Sequence, residues 1–398
     1  MAQQGSYPLA GRVLAVTDNA TGVVGGSTAD ITFAAMLDTG LGSASNLGLR
    51  NRICNGNFRL DNYNLSAAVT PTVSPAFFAD RWRLAFVTAS SLTAQAGQFG
   101  VPPAPSWYAG KLTVAVAQTP AALDSYAMYQ SIEADSVTDY AFGTASAKSV
   151  SISFWVVASV AGTYPLTIAN RQGTNSTRQY ATTYAATTTP TRVTVTIPGD
   201  TAGVWSKLST AGLVLSFGLG AGTSRQTATA NAWQALTSAV PFEVAGATQF
   251  ISQVAGSTLQ ITGVQVEFGA PTPFEVRSLG LEVAMCQRYI YTVPYIASAE
   301  IPGIAIADTV NTAVVTIPMP AGLRSTTNIV VTGAATAFAL QGATLIACSA
   351  APTALGVTTG AGCIRLTFTA TGLLTVGAAY KPVWGATVGQ IYVNSEPN

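Results

Sequence analysis

The stretch GVQVEFGAPTPFEVRSLGLEVAMCQRYIY, residues 263–291, decides how the chain is read. GVQVEF has the pattern of a strand that closes a domain. APTPFE turns the chain, because Pro271 and Pro273 have no N–H to give a β-ladder. In LGLEVAMCQRY, Leu281, Met285 and Tyr289 recur every fourth residue, which is one stripe of a short helix, and Ser278 stands where a cap is wanted. Strand pattern then resumes. A short helix in a chain that otherwise alternates by twos marks a joint between two β-domains.

Working upstream, residues 51–274 carry that alternation. In SVSISFWVVAS, residues 149–159, Val150, Ile152, Phe154 and Val156 fall on one face, and Ser151, Ser153, Trp155 and Val157 on the other. RVTVTIPG, residues 192–199, repeats it. Many short β-branched strands separated by Gly, Pro, Asn and Asp, without long helices, predict an antiparallel sandwich or jelly roll. Downstream, AVVTIP, NIVVTG, GCIRLTFTAT and QIYVNSEP give residues 292–398 the length of a second, smaller sandwich. Residues 1–50 are glycine-rich and too small to bury a core alone. They read as an extended segment that folds against a partner. The expected organisation is therefore 1–50 for attachment and oligomerisation, 51–274 for the jelly roll, 275–291 for the joint and 292–398 for the second sandwich.

Composition narrows the chemistry. Of 398 residues 48% are apolar, so a core can form, yet only 9% are charged and the net charge is +1. An electrostatic partnership with nucleic acid is not expected. No run of about 18 apolar residues exists to span a membrane, and the first residues, MAQQGSYPLAG, lack the pattern of a signal peptide. Histidine is absent, which removes His-based nucleophile systems and the commonest transition-metal ligand. The four cysteines, Cys54, Cys286, Cys348 and Cys363, form no CxxC pair; they read as small buried hydrophobes, with Cys348 and Cys363 able to face each other across a hairpin. No metal or other cofactor is assigned. Glu133, Asp135 and Asp139 are the densest acids, in what reads as a turn after a strand, where solvated or structural roles outweigh paired-carboxylate catalysis. The chain is read as a binding or structural protein, not an enzyme.

Aromatic residues with polar neighbours are the candidate ligand contacts, because rings stack on the C–H faces of sugars while amides, hydroxyls and guanidinium groups take the hydroxyls. Trp155 stands on the serine face of its strand. Tyr180 and Tyr184 share a face at spacing four, with Arg171, Asn175 and Arg178 about the preceding turn. Trp107 and Tyr108 sit in a proline-rich loop, and Tyr380 and Trp384 near the end of the chain. For each, packing or a subunit interface is the competing reading.

Three pieces occur in order: NRICNGNFRLD with FADRWRL, then SVSISFWVVASVAGTYPLTI, then the joint itself. Together they resemble a family of bacteriophage and prophage tail-fibre or minor structural proteins that carry a jelly roll similar to carbohydrate-binding modules. The resemblance covers residues 51–291 and is looser beyond. It implies a virion protein made in the host cytoplasm, most simply a tail fibre that binds a host surface polysaccharide. It also implies a homotrimer held to other tail or baseplate proteins through the N-terminal segment. The alternatives are a virion decoration protein without a ligand, or a glycan-cleaving spike. Related jelly rolls hold a structural calcium, for which Asp61 and Glu267 would be the positions, but no dense carboxylate cluster surrounds them. Trp82 in the DRW piece reads as core.

Overall fold

The computed structural model describes residues 50–99, 108–171, 176–238, 240–293, 295–319, 323–324, 328–358 and 362–397. Contacts divide the chain into two compact units, Met1–Leu49 and Arg50–Asn398. The described residues belong to the second. The attachment segment expected at 1–50 and the candidates Trp107 and Asn175 therefore lie outside them, Arg50 apart.

The fold is all-β, an antiparallel sandwich followed by a short helix and more strands. The strands before the helix are β1 (Ala76–Ala79), β2 (Trp82–Phe86), β3 (Leu92–Gly97), β4 (Ala109–Val114), β5 (Ser125–Glu133), β6 (Val150–Ala158), β7 (Gly162–Asn170), β8 (Ser176–Ala186), β9 (Thr191–Ile197), β10 (Ala211–Ala221), β11 (Gln226–Thr227), β12 (Trp233–Ser238), β13 (Glu243–Val244) and β14 (Thr258–Phe268). One sheet runs β1-β2-β5-β10-β7-β8-β12 and the facing sheet β3-β4-β14-β6-β9. β11 and β13 form a small parallel pair.

Between the two sheets lies one large core. Val150, Ile152, Phe154 and Val156 of β6 point into it, each at most 1% exposed. The Phe154 ring meets Tyr184 and Phe217 edge-on, both at 5.0 Å. Trp82 is fully buried and donates its indole N–H to the Asn55 carbonyl. The alternation that predicts β6 thus follows from burial on one face. Its other face is less simple: Ser151 and Ser153 point outward yet are buried.

What covers them is the proline-broken segment. After β14 it folds back over the outside of the five-stranded sheet. The Gln265 amide accepts from Glu275 N at 2.8 Å and donates to Thr272 Oγ1 at 3.0 Å. Glu267 accepts from both Thr272 N and Thr272 Oγ1 at 2.8 Å.

The helix α1 (Leu279–Gln287) follows. Its buried line differs from the stripe expected of Leu281, Met285 and Tyr289. Cys286 and Tyr289 are buried with Cys54, Met285 packs partly, and Leu281 is 40% exposed. The helix has only about two and a half turns. The chain leaves it at Arg288, so Tyr289 is placed by that exit rather than by helical period. Ser278 holds the N-cap position without a side-chain cap bond. Cys348 and Cys363 do not face each other: Cys348 lies opposite Phe338, while Cys363 pairs with Pro318 and Thr358.

After α1 come β15 (Ile290–Val293), β16 (Ile304–Ala307), β17 (Thr312–Pro318), β18 (Ile329–Thr332), β19 (Phe338–Gln341), β20 (Leu345–Ala347), β21 (Ala350–Thr358), β22 (Cys363–Thr369), β23 (Ala379–Trp384) and β24 (Gln390–Asn394). They form a sheet of order β15-β24-β18 and another of order β20-β19-β23-β16-β17-β22-β21, with their own core.

Candidate functional site

The quoted stretch builds a buried polar knot where the sandwiches meet. Asn51 donates from its amide to the Val264 carbonyl and accepts from Ile53 N and Val266 N, fastening the first described residues to β14. Arg277 donates to the carbonyls of Asn51 and Ile53 and lies 3.4 Å from Glu282. Glu282 accepts from Asn55 N. Asn55 in turn grips Leu60 and Asp80, and Gln130 clamps both backbone groups of Cys54 at 2.9 Å. Arg288 forms a two-pronged pair with Glu133 at 2.8 and 2.7 Å, and the Tyr289 hydroxyl donates to the same carboxylate at 2.8 Å. Arg81 lies over the Tyr289 ring, 3.5 Å from its centre, and pairs with Glu396. Burial opposes the charge of Arg81, and the Glu396 carboxylate more than restores it, raising its pKa. Every motif piece singled out in the sequence, apart from the central strand, therefore serves the joint. Buried polar groups are mostly paired, which is why the spelling of these segments is so specific, although Arg81 Nε, Arg277 Nε and Glu396 Oε1 have no partner among the described residues.

The acids follow the same logic. Glu133 is 1% exposed and held by Arg288 and Tyr289, so it is not in a solvated turn. Asp139 pairs with Arg52 at 2.7 Å. Asp61 accepts from Asn64 N and Ser66 N, both at 2.9 Å, and Glu267 is taken by Gln265 and Thr272. Each of the two calcium candidates is thus occupied by donors from its own neighbourhood.

Several expected ligand contacts belong to the interior. Tyr184 lies in the main core between Phe154, Tyr164 and Phe217, and Tyr180 is buried against Trp233. Their spacing of four on β8 puts both on the inward face, because period two gives i and i+4 the same side. Arg178 is bound in a fork by Asp200, at 2.8 and 2.6 Å. Tyr380 and Trp384 are in the second core: the Tyr380 hydroxyl accepts from Thr375 N at 2.9 Å, and Trp384 packs on Phe338 and Tyr295. Tyr180, Tyr184, Tyr380 and Trp384 are thus buried, and Arg178 is half-buried in its pair with Asp200.

Trp155 and Tyr108 are placed differently, and the fold brings them to one face. Trp155 is half-buried on the outside of the five-stranded sheet, beside Arg192 of β9 and Thr262 of β14. The Thr262 hydroxyl donates to the Tyr108 carbonyl at 2.6 Å. β14 bulges after Thr262, and the extra residue is Gly263 with φ +62°, a conformation that favours glycine. A Cβ there would come within 3.4 Å of the Trp155 ring and 3.8 Å of Phe274. The two rings thus flank the bulge, one on each side of Gly263 at ordinary contact distance. Phe274 and Tyr108 continue into an open cavity of about 310 Å3 that Asn57, Arg59, Gln98 and Glu275 also line. Sequence reasoning missed Phe274, Arg192, Asn57, Arg59 and Gln98. An aromatic set directly after two prolines, Pro271 and Pro273, was the available signal for Phe274.

Arg171 lines a second hollow, about 180 Å3, on the outside of the seven-stranded sheet. Ala127, Tyr129, Ser131, Ser216, Pro241 and Pro397 also line it. Arg83 lies over the Tyr129 ring at 4.7 Å and donates to Ser131 Oγ at 3.0 Å. Burial lowers the pKa of Arg171.

No family model matches the chain, and no curated protein matches it. Among solved structures it is similar to the enzymatically active domain of tailspike protein 4 of bacteriophage CBA120, with 11% identity, a TM-score of 0.31, and 55% of this chain and 22% of that one covered. It is similar to the arabinose-bound α-L-arabinofuranosidase MgGH51, with 12% identity, a TM-score of 0.30, and 57% and 32% covered. It is also similar to the family 11 carbohydrate-binding module of the cellulase Lic26A-Cel5E of Clostridium thermocellum, with 8% identity, a TM-score of 0.28, and 51% and 99% covered. The chain spans about a third or less of the length of the first two. Likenesses this distant speak to neither ligand nor activity.

Proposed function

We propose that the chain is a phage virion structural protein, a tail fibre that binds a host surface glycan through the outside of its five-stranded sheet. The observation that carries this reading is the placement of the half-buried Trp155 beside the Gly263 bulge next to Phe274, which lines an open cavity with Tyr108, Asn57 and Gln98. Aromatic rings with amide, guanidinium and carboxylate groups beside them are what sugar recognition uses. The resemblance of the three motif pieces to tail-fibre proteins supports the virion setting, a homotrimeric fibre, and attachment to tail or baseplate through the N-terminal segment. The site binds rather than cleaves. The two carboxylates that line the cavity are committed elsewhere: Glu275 accepts from Asn51 N, and Glu282 accepts from Asn55 N and lies 3.4 Å from Arg277.

The test is adsorption competition. Purified chain is titrated against infection by the phage that carries it. Wild type should block adsorption without releasing reducing ends, and Trp155→Ala should not block. Failure of folded wild type to compete would favour a decoration protein. Release of reducing ends would favour a spike.

A further inference from the structure

The edges of the two jelly-roll sheets are not alike. β1 is four residues long and breaks register after Phe77. β12 breaks register between Ala235 and Ser238. β3 is covered by Val69, which exchanges two 2.8 Å backbone bonds with Ala94. These are the usual ways of blunting an edge. β9 has none of them. It pairs with β6 through seven consecutive residues, Thr191 to Ile197, without a bulge. Arg192, Thr194 and Thr196 are exposed, and even its core-facing Val193 and Val195 are only half-buried. Among the described residues, the other side of β9 meets no backbone partner.

The sequence of β9, TRVTVTI, is complementary to itself. Laid antiparallel on its own copy about a two-fold axis through Thr194, it puts Thr194 opposite Thr194, Val193 opposite Val195 and Arg192 opposite Thr196. Like meets like on both faces, and the one charge, Arg192, meets a threonine instead of its twin. Cross-strand pairs of this kind favour pairing, whereas like charges directly opposite would oppose it.

We infer that β9 is an interface with a second copy of this chain, joining two five-stranded sheets edge to edge. An axis through Thr194, perpendicular to the sheet, keeps both outer faces on the same side. The two Trp155 residues then lie three strand spacings apart across the sheet and four residues apart along it, about 20 Å in all. This last consequence rests on the proposed glycan face: two weak sites on one surface gain from simultaneous engagement. The pairing itself does not depend on that reading.

The experiment reads the pairing without any glycan. The mass of the full chain in solution is measured for wild type and for Thr194→Lys, which sets two ammonium groups face to face on the axis. Thr194→Cys is cross-linked under mild oxidation, beside Val157→Cys on β6 and wild type as controls. Opposed residues on the axis are about 4.5–5.5 Å apart between Cα atoms, within disulfide reach. The expected result is an even-numbered assembly, two of the proposed trimers joined through β9, whose mass halves in Thr194→Lys, and a covalent pair from Thr194→Cys alone. A wild-type mass that Thr194→Lys leaves unchanged would overturn the inference. So would cross-linking of Thr194→Cys no greater than that of Val157→Cys.

Discussion

Arg81 and Glu396 stand 315 residues apart in sequence and form an ion pair in which each side chain is 1% exposed. Arg81 follows Asp80 at the head of β2, and Glu396 follows β24, so the pair ties the jelly roll to the end of the second sandwich. Its surroundings are polar by design: Tyr289 beneath the guanidinium, the Ser131 carbonyl accepting from it at 2.5 Å, and Arg324 donating to the Ser395 and Glu396 carbonyls at 2.7 and 2.9 Å. The two sandwiches are joined by this lock as well as by the covalent link.

Removing one partner leaves the other charge buried and alone. Glu396→Ala should therefore destabilise by about 3–5 kcal/mol, and the double change Arg81→Met with Glu396→Leu should recover much of that. Midpoints of chemical unfolding for wild type and the two variants check it. Equal loss in the single and double variants would mean the pair is not coupled.

Glu243 gives the chain a pH dependence. It is buried over Gly218, with one oxygen accepting from Gly220 N at 3.3 Å and the other without a partner among the described residues. Burial pushes its pKa up from 4.5 to about 8. The folded state keeps a proton that the unfolded chain has already released in that interval. The stability it contributes is whole below the unfolded value and is lost as pH rises through about 8. Glu243→Gln should flatten the fall in unfolding free energy across that window, by an amount on the order of a few kcal/mol at the alkaline end. Asp80, raised to about 6 by burial, has the same sign at lower pH and should remain in the variant.

Tyr184 separates core from site. Its hydroxyl is buried with no partner among the described residues. Tyr184→Phe should leave stability unchanged or raise it by up to about 1 kcal/mol, and should leave glycan binding intact. Thermal melts and binding on the same samples check both halves.

Trp384 makes the opposite case. It fills the second core against Phe338, so Trp384→Ala should cost about 3–5 kcal/mol. Any loss of adsorption in that variant should follow its unfolded fraction, measured by melting at the assay temperature.

Strands with one buried face were legible in the sequence: β6 reads directly from Val150, Ile152, Phe154 and Val156. So was the joint, from Pro271, Pro273 and the pattern after them. The site was legible only in part. Period two says which residues share a face but not which face is inside. Tyr180 and Tyr184 therefore looked like Trp155 until packing separated them. The partners of Trp155 come from elsewhere in the chain: Gly263 from a bulge, Phe274 from the folded-back turn, Tyr108 from the start of β4. No local pattern carries long-range convergence of that kind. Helical spacing failed for Leu281 because a helix this short is placed by its ends, through Arg277, Glu282 and Arg288.

The most direct measurement is binding of the purified chain to a panel of immobilised bacterial surface polysaccharides, with Trp155→Ala, Phe274→Ala and Tyr184→Phe beside wild type and folding verified for each. The account predicts retention on at least one polysaccharide by wild type and Tyr184→Phe, weakened tenfold or more, about 1.4 kcal/mol, in Trp155→Ala and Phe274→Ala. Binding that survives both of those substitutions, or no binding by folded wild type to the polysaccharide of a strain its phage infects, would contradict it.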